Sequence, residues 1–534
     1  MNTRPIRLLA LVAACLAAAP HGARAATFVV DDTYDDSSTC APSGCSLREA
    51  ILAANANPGP DTITFNLGAG VPVVPITLGP LPAITDPVDI DGATGGATRV
   101  WIRPQPNASV LAPGLRVTSG STVIRNLVVT GFLHGIELAT TGGNVVTGCY
   151  LGVDGAGTGA AGNFASGIQI AGTTANVIGG VTPDARNVLS ANTYGVTITG
   201  AAAAGNIVLG NYIGTDATGA AALGNSQAGV MVMNGAHDNL IGEATAGGGN
   251  VISGNGFYGV DLNGDTASNN SVLGNLIGTN AAGDAPLGNG RIGVAINSPD
   301  NRIGGTSLVA RNVISANGWF GVWIDGAAAR RNVVRGNRIG ILSDTPSPFG
   351  NALGGVEIRN DAAQNKIGGT APGAGNAISA NGGPGVQIEG GPGNAIRQNA
   401  IAFNAGLGID LGADGVTPND GKDPDVGPNL LQNYPRLTSA AANNGFVHVL
   451  GLLNSVPSSS FTVELFATVT CDPSGYGEGL YFLGSVDVTT NALGKAPIDT
   501  TVALPLLAGG QLTATATSQS GSTSEFSRCI GVAF

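Results

Sequence analysis

One short phrase, repeated, constrains this chain more than anything else in it. Between residues 144 and 411 the pattern Asn-x-(Ile/Val)-x-Gly-Asn-x-Ile, a turn, then Gly-Val-x-Ile-x recurs nine times. Its opening residue falls at Asn144, Asn176, Asn206, Asn239, Asn270, Asn301, Asn332, Asn365 and Asn394, at intervals of 29 to 33 residues. A period of this size means stacked supersecondary units, none of which buries its apolar face alone. Within each unit apolar residues alternate with others at period two, the mark of short strands with one face inward. No useful helical period runs through the stretch. The expected fold is all-β, a solenoid of parallel strands with three strands per coil and Gly/Asn corners. An interior of stacked Val, Ile and Leu needs few aromatic or charged residues, and the chain has 5% and 11% of these.

The Asn columns have a mechanical reading. At a corner Asn tolerates left-handed backbone and bonds neighbouring backbone groups, and stacked amides form ladders along the axis. A second column runs through Asn187, Asn211, Asn250, Asn275, Asn312, Asn337, Asn376 and Asn399, with Cys149 in its first place. Cys149 is therefore expected to be a buried, inert thiol. Inserts alternate between two corners, VTPDAR and TSLVAR on one set of coils, TDATGAAALG and TNAAGDAPLG on the other. The true repeat is thus two coils.

At the start, Arg4 and Arg7 precede the apolar run LLALVAACLAAA and then Ala23-Arg24-Ala25. This predicts a secretory leader over residues 1–25. A lipoprotein site at Cys15 is the rival, but the apolar run continues past it. No other stretch is long and apolar enough to span a membrane. Removing the leader removes three arginines and moves the net charge from −12 to −15. An acidic surface argues against nucleic acid as a partner. Export leaves five cysteines, and an oxidising compartment makes Cys40–Cys45 and Cys471–Cys529 plausible disulfides.

Residues 45–50 read Cys45-Ser46-Leu47-Arg48-Glu49-Ala50. The hexapeptide resembles the signature of the CSLREA domain, an N-terminal module of secreted bacterial β-helix proteins. Together with the repeats the resemblance covers roughly residues 27–411. It implies a right-handed, pectin-lyase-like parallel β-helix and no particular activity. The residues agree: LREAILAANA puts Leu47, Ile51, Leu52 and Ala54 on one helical face, suited to capping the first coil. The expected order is a cap over 26–84, a right-handed parallel β-helix of about eleven coils over 85–411, a linker over 412–435 and a β-sandwich over 436–534. In the linker Asp420, Asp423 and Asp425 either gather oxygen ligands for Ca2+ or belong to ordinary turns. No other cofactor is expected. Alternating runs FVHVLGLL, FTVELFATV, LYFLGSVDV and QLTATATS predict the sandwich strands.

No nucleophile elbow, zinc motif or phosphate loop is present, and His134, His237 and His448 are scattered. Nine of the mature chain's 20 Lys and Arg fall within residues 291–366, beside Trp319, Phe320 and Trp323. The two x positions of Gly-Val-x-Ile-x point outward. One column then reads Asp261, Ala295, Trp323, Glu357, Gln387 and Asp410, and the other Asn263, Asn297, Asp325, Arg359 and Glu389. Such a face resembles a sugar-binding groove, with Trp323, Trp319, Phe320, Arg359 and Arg335 holding a glycan and Asp325, Glu357 and Glu389 as acid and base. At roughly 4.8 Å between coils and 6.6 Å between alternate side chains, the diagonal carboxylates would stand about 8 Å apart. That separation suits an inverting glycosidase. The competing reading is a charge-alternating ladder that stabilises the stack. The functional alternatives are a secreted polysaccharide hydrolase or lyase, a non-catalytic adhesin that binds cell-surface glycan, and a structural envelope protein. Oligomeric state is not legible.

Overall fold

A computed structural model describes residues 24–105, 111–342, 349–503 and 510–533. The expected leader and Cys15 lie outside these residues, apart from Arg24 and Ala25. Three parallel sheets wind around one core: thirteen strands from Thr27–Val30 to Ala395–Arg397, twelve from Val73–Ile76 to Ala400–Ala402, and eleven from Leu115–Val117 to Ile409–Leu411. They are called the first, second and third sheets below. The chain visits them in turn in a right-handed parallel β-helix, the hand that parallel connections take. Neighbouring strands keep one register, so Val146, Ile178, Val208, Ile241 and Val272 stack directly on one another. All of these are fully buried.

The solenoid begins earlier than the sequence reading placed it. Strands Thr27–Val30, Asp61–Phe65 and Val73–Ile76 already belong to the first and second sheets, so the expected boundary at residue 85 falls inside the stack. Between the first two strands runs the helix Leu47–Ala56, closed by a capping box in which Ser46 and Glu49 exchange bonds. Each residue of the hexapeptide has a job here. Cys45 is bridged to Cys40, and Leu47 and Ala50 enter the core. Arg48 pairs with Asp35 at 2.7 Å and donates to the carbonyls of Gly79 and Pro80. One residue departs from the expected apolar face: Leu52 is 42% exposed, because the inward face of the helix carries Leu47, Ala50, Ile51 and Ala54.

The corners are built from amides. In the second column the Asn275 backbone N–H and Nδ2 both donate to Asn312 Oδ1, at 2.9 and 3.1 Å, while Nδ2 also reaches the Ile241 carbonyl. In the first column, from Asn144 to Asn394, each backbone N–H likewise donates to Oδ1 of the next Asn. Cys149 stands at the head of the second column, its N–H donating to Asn187, and burial pushes its thiol up to about 12. A third ladder, absent from the sequence reading, runs Asn163, Asn192, Asn225, Asn255, Asn289, Asn317, Asn351, Asn381 and Asn404. It explains the glycine of Gly-Val-x-Ile. A Cβ on Gly321 would come within 2.8 Å of Asn351 Nδ2 and 2.9 Å of the Gly355 carbonyl, so the coil closes only on glycine.

The C-terminal domain packs a three-stranded antiparallel sheet against a four-stranded one. Val447, Val449 and Ile498 of one face Val463, Leu465 and Leu512 of the other in a shared core. Three strands escaped the pattern reading: Arg436–Asn443, Lys495–Ala503 and Ile530–Gly531. The second disulfide joins Cys471 to Cys529.

This domain closes the end of the solenoid. Glu464 accepts from Arg397 Nε and the Gln398 N–H, Glu478 from the N–H groups of Phe403 and Asn404, and Glu525 from those of Leu411 and Thr417. One buried carboxylate thus meets the last coil at each of its three sides. The first Asn ladder ends on the linker, where Asn429 Oδ1 accepts from the Asn394 N–H at 2.8 Å. Otherwise these backbone groups would be orphaned at an open edge.

Candidate functional site on the third sheet

The outward columns fall in the register expected of them. Asp261 pairs with Ala295, Ala295 with Trp323, Trp323 with Glu357, Glu357 with Gln387, and Gln387 with Asp410. Asp325 stands beside Arg359 on the parallel column. Strand periodicity places them: Val322, Ile324, Val356 and Ile358 fill the core and send the intervening side chains out.

Trp323, Asp325, Glu357 and Arg359 form one connected group. The Arg359 guanidinium lies 4.8 Å from the centre of the Trp323 ring, and its Nε contacts Asp325 Oδ1 at 3.2 Å. Asp325 also accepts from Asn360 at 2.6 Å and from Asn297 at 3.4 Å. It is thereby committed as the anchor of Arg359, with three donors around it. Glu389 is exposed and accepts from Gln387 Nε2 at 2.6 Å; the same amide reaches Glu357 at 3.5 Å. Gln387, Asn360 and Asn297 were not singled out from sequence, since an isolated Asn or Gln carries no spacing signal.

Glu357 differs from its neighbours. Although its position points outward, it is only 5% exposed. Burial, then the nearby Glu389 charge, push its carboxyl up to about 7, against the opposing pull of Arg359 and a bond from the Trp323 side chain. A carboxyl that keeps its proton near neutrality both donates hydrogen bonds and serves as a general acid. Farther along the column Asp261 is 1% exposed, and burial raises it to about 6.

Three residues expected at this site lie elsewhere or are covered. Phe320 is 6% exposed and packs with Ile292, Ala295, Tyr258 and Trp323, so its ring supports Trp323 and offers no platform. Arg335 follows a strand of the first sheet, where burial and the Arg302 charge lower its pKa; it does not share a face with Trp323. Trp319 sits at the edge of the third sheet, 40% exposed, stacked on Arg291, which in turn covers Phe257. This aromatic–cation–aromatic stack borders the site. The site itself is an open face. Clefts of about 430 Å³ around Tyr434 and Tyr476, and about 340 Å³ around Arg186 and Tyr212, lie away from Trp323.

Asp420, Asp423 and Asp425 do come together, with one carboxylate oxygen of each within 4.8 Å of the others. No helix among the described residues is long and apolar enough to cross a membrane.

No protein-family model matches the chain, and no curated protein does. Solved structures that resemble it include the pectate lyase Pel9A, with a TM-score of 0.36 and 14% identity over 60% of this chain and 77% of the lyase. The enzymatically active domain of tailspike protein 2 of bacteriophage CBA120 gives 0.36 and 10% over 90% of this chain and 73% of its own. The catalytic domain of a GH87 α-1,3-glucanase in complex with nigerose gives 0.31 and 11%, over 70% and 65%.

Proposed function

We propose that this is an exported, CSLREA-type β-helix protein that binds polysaccharide along the open face of its third sheet. The observation that carries the reading is the connected group of Trp323, Arg359 and Glu357. An aromatic ring, a fixed cation and a carboxyl held near half protonation stand in register on a rigid wall. Rings stack on the apolar faces of sugars, and the guanidinium and carboxyl satisfy hydroxyl or acidic substituents. The two disulfides and the charged amino-terminal leader support export.

A second reading, hydrolysis, is favoured by one feature, the raised carboxyl of Glu357. In that reading Glu357 donates a proton to the leaving oxygen and Glu389, exposed across Gln387, activates water. In this reading Asp325 serves as the anchor of Arg359 rather than as acid or base, its Oδ1 accepting from both Arg359 and Asn360.

A panel of neutral and acidic polysaccharides, scored for retention of the protein, for new reducing ends and for unsaturated products, tests both. Retention by at least one glycan is expected. Retention by none overturns the proposal. New reducing ends that vanish in Glu357→Gln, with retention intact, support hydrolysis; a rate that falls as pH rises through about 7 would follow from loss of the acid.

A further inference from the structure

The linker between solenoid and C-terminal domain carries a second cluster that the glycan face does not use. Asp420, Asp423 and Asp425 each bring a carboxylate oxygen within 4.8 Å of the others. Left-handed backbone at Lys422 and Asp423 folds the chain tightly enough to gather them. Like charges this close repel, and among the described residues no Lys, Arg or His forms an ion pair with any of the three.

Asp423 is the informative member. It is 7% exposed, and its two oxygens are treated unequally. Oδ2 accepts from Gln432 Nε2 at 2.7 Å, from the Asn433 N–H at 3.2 Å and from the Ser455 hydroxyl. Oδ1 is buried and has no partner. A buried carboxylate oxygen with nothing to bond is costly, and one so oriented by three donors on its other oxygen is held ready for a ligand.

We infer that Asp420, Asp423 and Asp425 bind a divalent cation, of the Ca2+ class, that clamps the linker to the C-terminal domain. All-oxygen donors in an irregular turn suit Ca2+ over Mg2+, which demands near-octahedral geometry. Ser455 follows the strand Phe446–Asn454, so the cation's main ligand is tied directly to the domain that closes the solenoid. A cleft of about 330 Å³ lined by Asp423, Asp425, Gln432 and Ser458 gives the ion and its water ligands a way in.

The test is calorimetric titration of the chelator-stripped full chain with CaCl2 at pH 7.5, paired with melting curves. One site per chain is expected, together with a rise in Tm of at least about 3 °C at saturating Ca2+. Mg2+ at the same concentration should give a smaller rise. Asp425→Asn, which leaves the buried bonds of Asp423 untouched, should weaken binding about tenfold or more. Asp423→Asn should abolish it. No heat and an unchanged Tm with Ca2+ would overturn the site, as would undiminished binding in both variants. The glycan panel reads the third sheet separately, so either proposal can fail without the other.

Discussion

At the scale of single residues, Glu357 is the most informative group in the molecule. Its carboxyl titrates at about 7 in the folded chain against an ordinary 4.5. The folded state thus holds the proton more tightly than the unfolded chain does. The associated stability is complete below pH 4.5 and is lost as pH rises through about 7. Replacing Glu357 by Gln removes that loss. Melting curves of the variant and the parent should coincide near pH 4 and separate in the variant's favour by pH 8, by on the order of 1–3 kcal/mol. A separation that is absent at pH 8, or opposite in sign, means that the folded chain does not hold the Glu357 proton as described. Asp261 and Glu525, raised to about 6 and about 7, act in the same direction but cancel in the comparison.

At the scale of the element, each coil is held at its corners by Asn. Asn275 accepts from the backbone N–H and the Nδ2 of Asn250 and donates twice to Asn312. Asn275→Ala would leave the buried N–H and Nδ2 donors of Asn250 without the Asn275 oxygen and take one of two donors from Asn312 Oδ1, at a cost of about 2–4 kcal/mol. Chemical denaturation of the variant should show that loss without a change in secondary structure. The solenoid was legible because its period is written in residues that alternate and repeat, and two of the three amide ladders were visible for the same reason. The third was hidden. Its members follow Ala-Gly, Ser-Ala, Leu-Gly, Ser-Gly, Phe-Gly or Ala-Phe, at gaps set by the inserts, so no single phrase marks Asn192, Asn225 and Asn255 as one column. On the third sheet the register of Trp323, Glu357 and Arg359 followed from the same periodicity. Whether an outward side chain is open or covered did not, because Phe320 and Glu357 are buried by neighbours from adjacent coils, which alternation along one strand does not report.

At the scale of the whole molecule, the chain is a stack that must be closed at both ends. The helix and the Cys40–Cys45 loop stand at one end, and three buried glutamates of the C-terminal domain at the other. Removing residues 436–534 would leave the N–H groups of Gln398, Phe403, Asn404 and Leu411 without those acceptors. The truncated chain should then self-associate, seen as higher mass in light scattering at concentrations where the full chain keeps its own mass. Closed ends leave the long faces free for a partner, and the third sheet is the face on which an aromatic ring, a cation and a proton-retaining carboxyl coincide. The direct test is the affinity of the full chain and of Trp323→Ala for whichever polysaccharide retains the protein, with Tm as the control. The variant should bind at least about tenfold more weakly at a temperature where both chains remain folded, the worth of one stacking ring. Equal affinity would contradict a glycan site on this face.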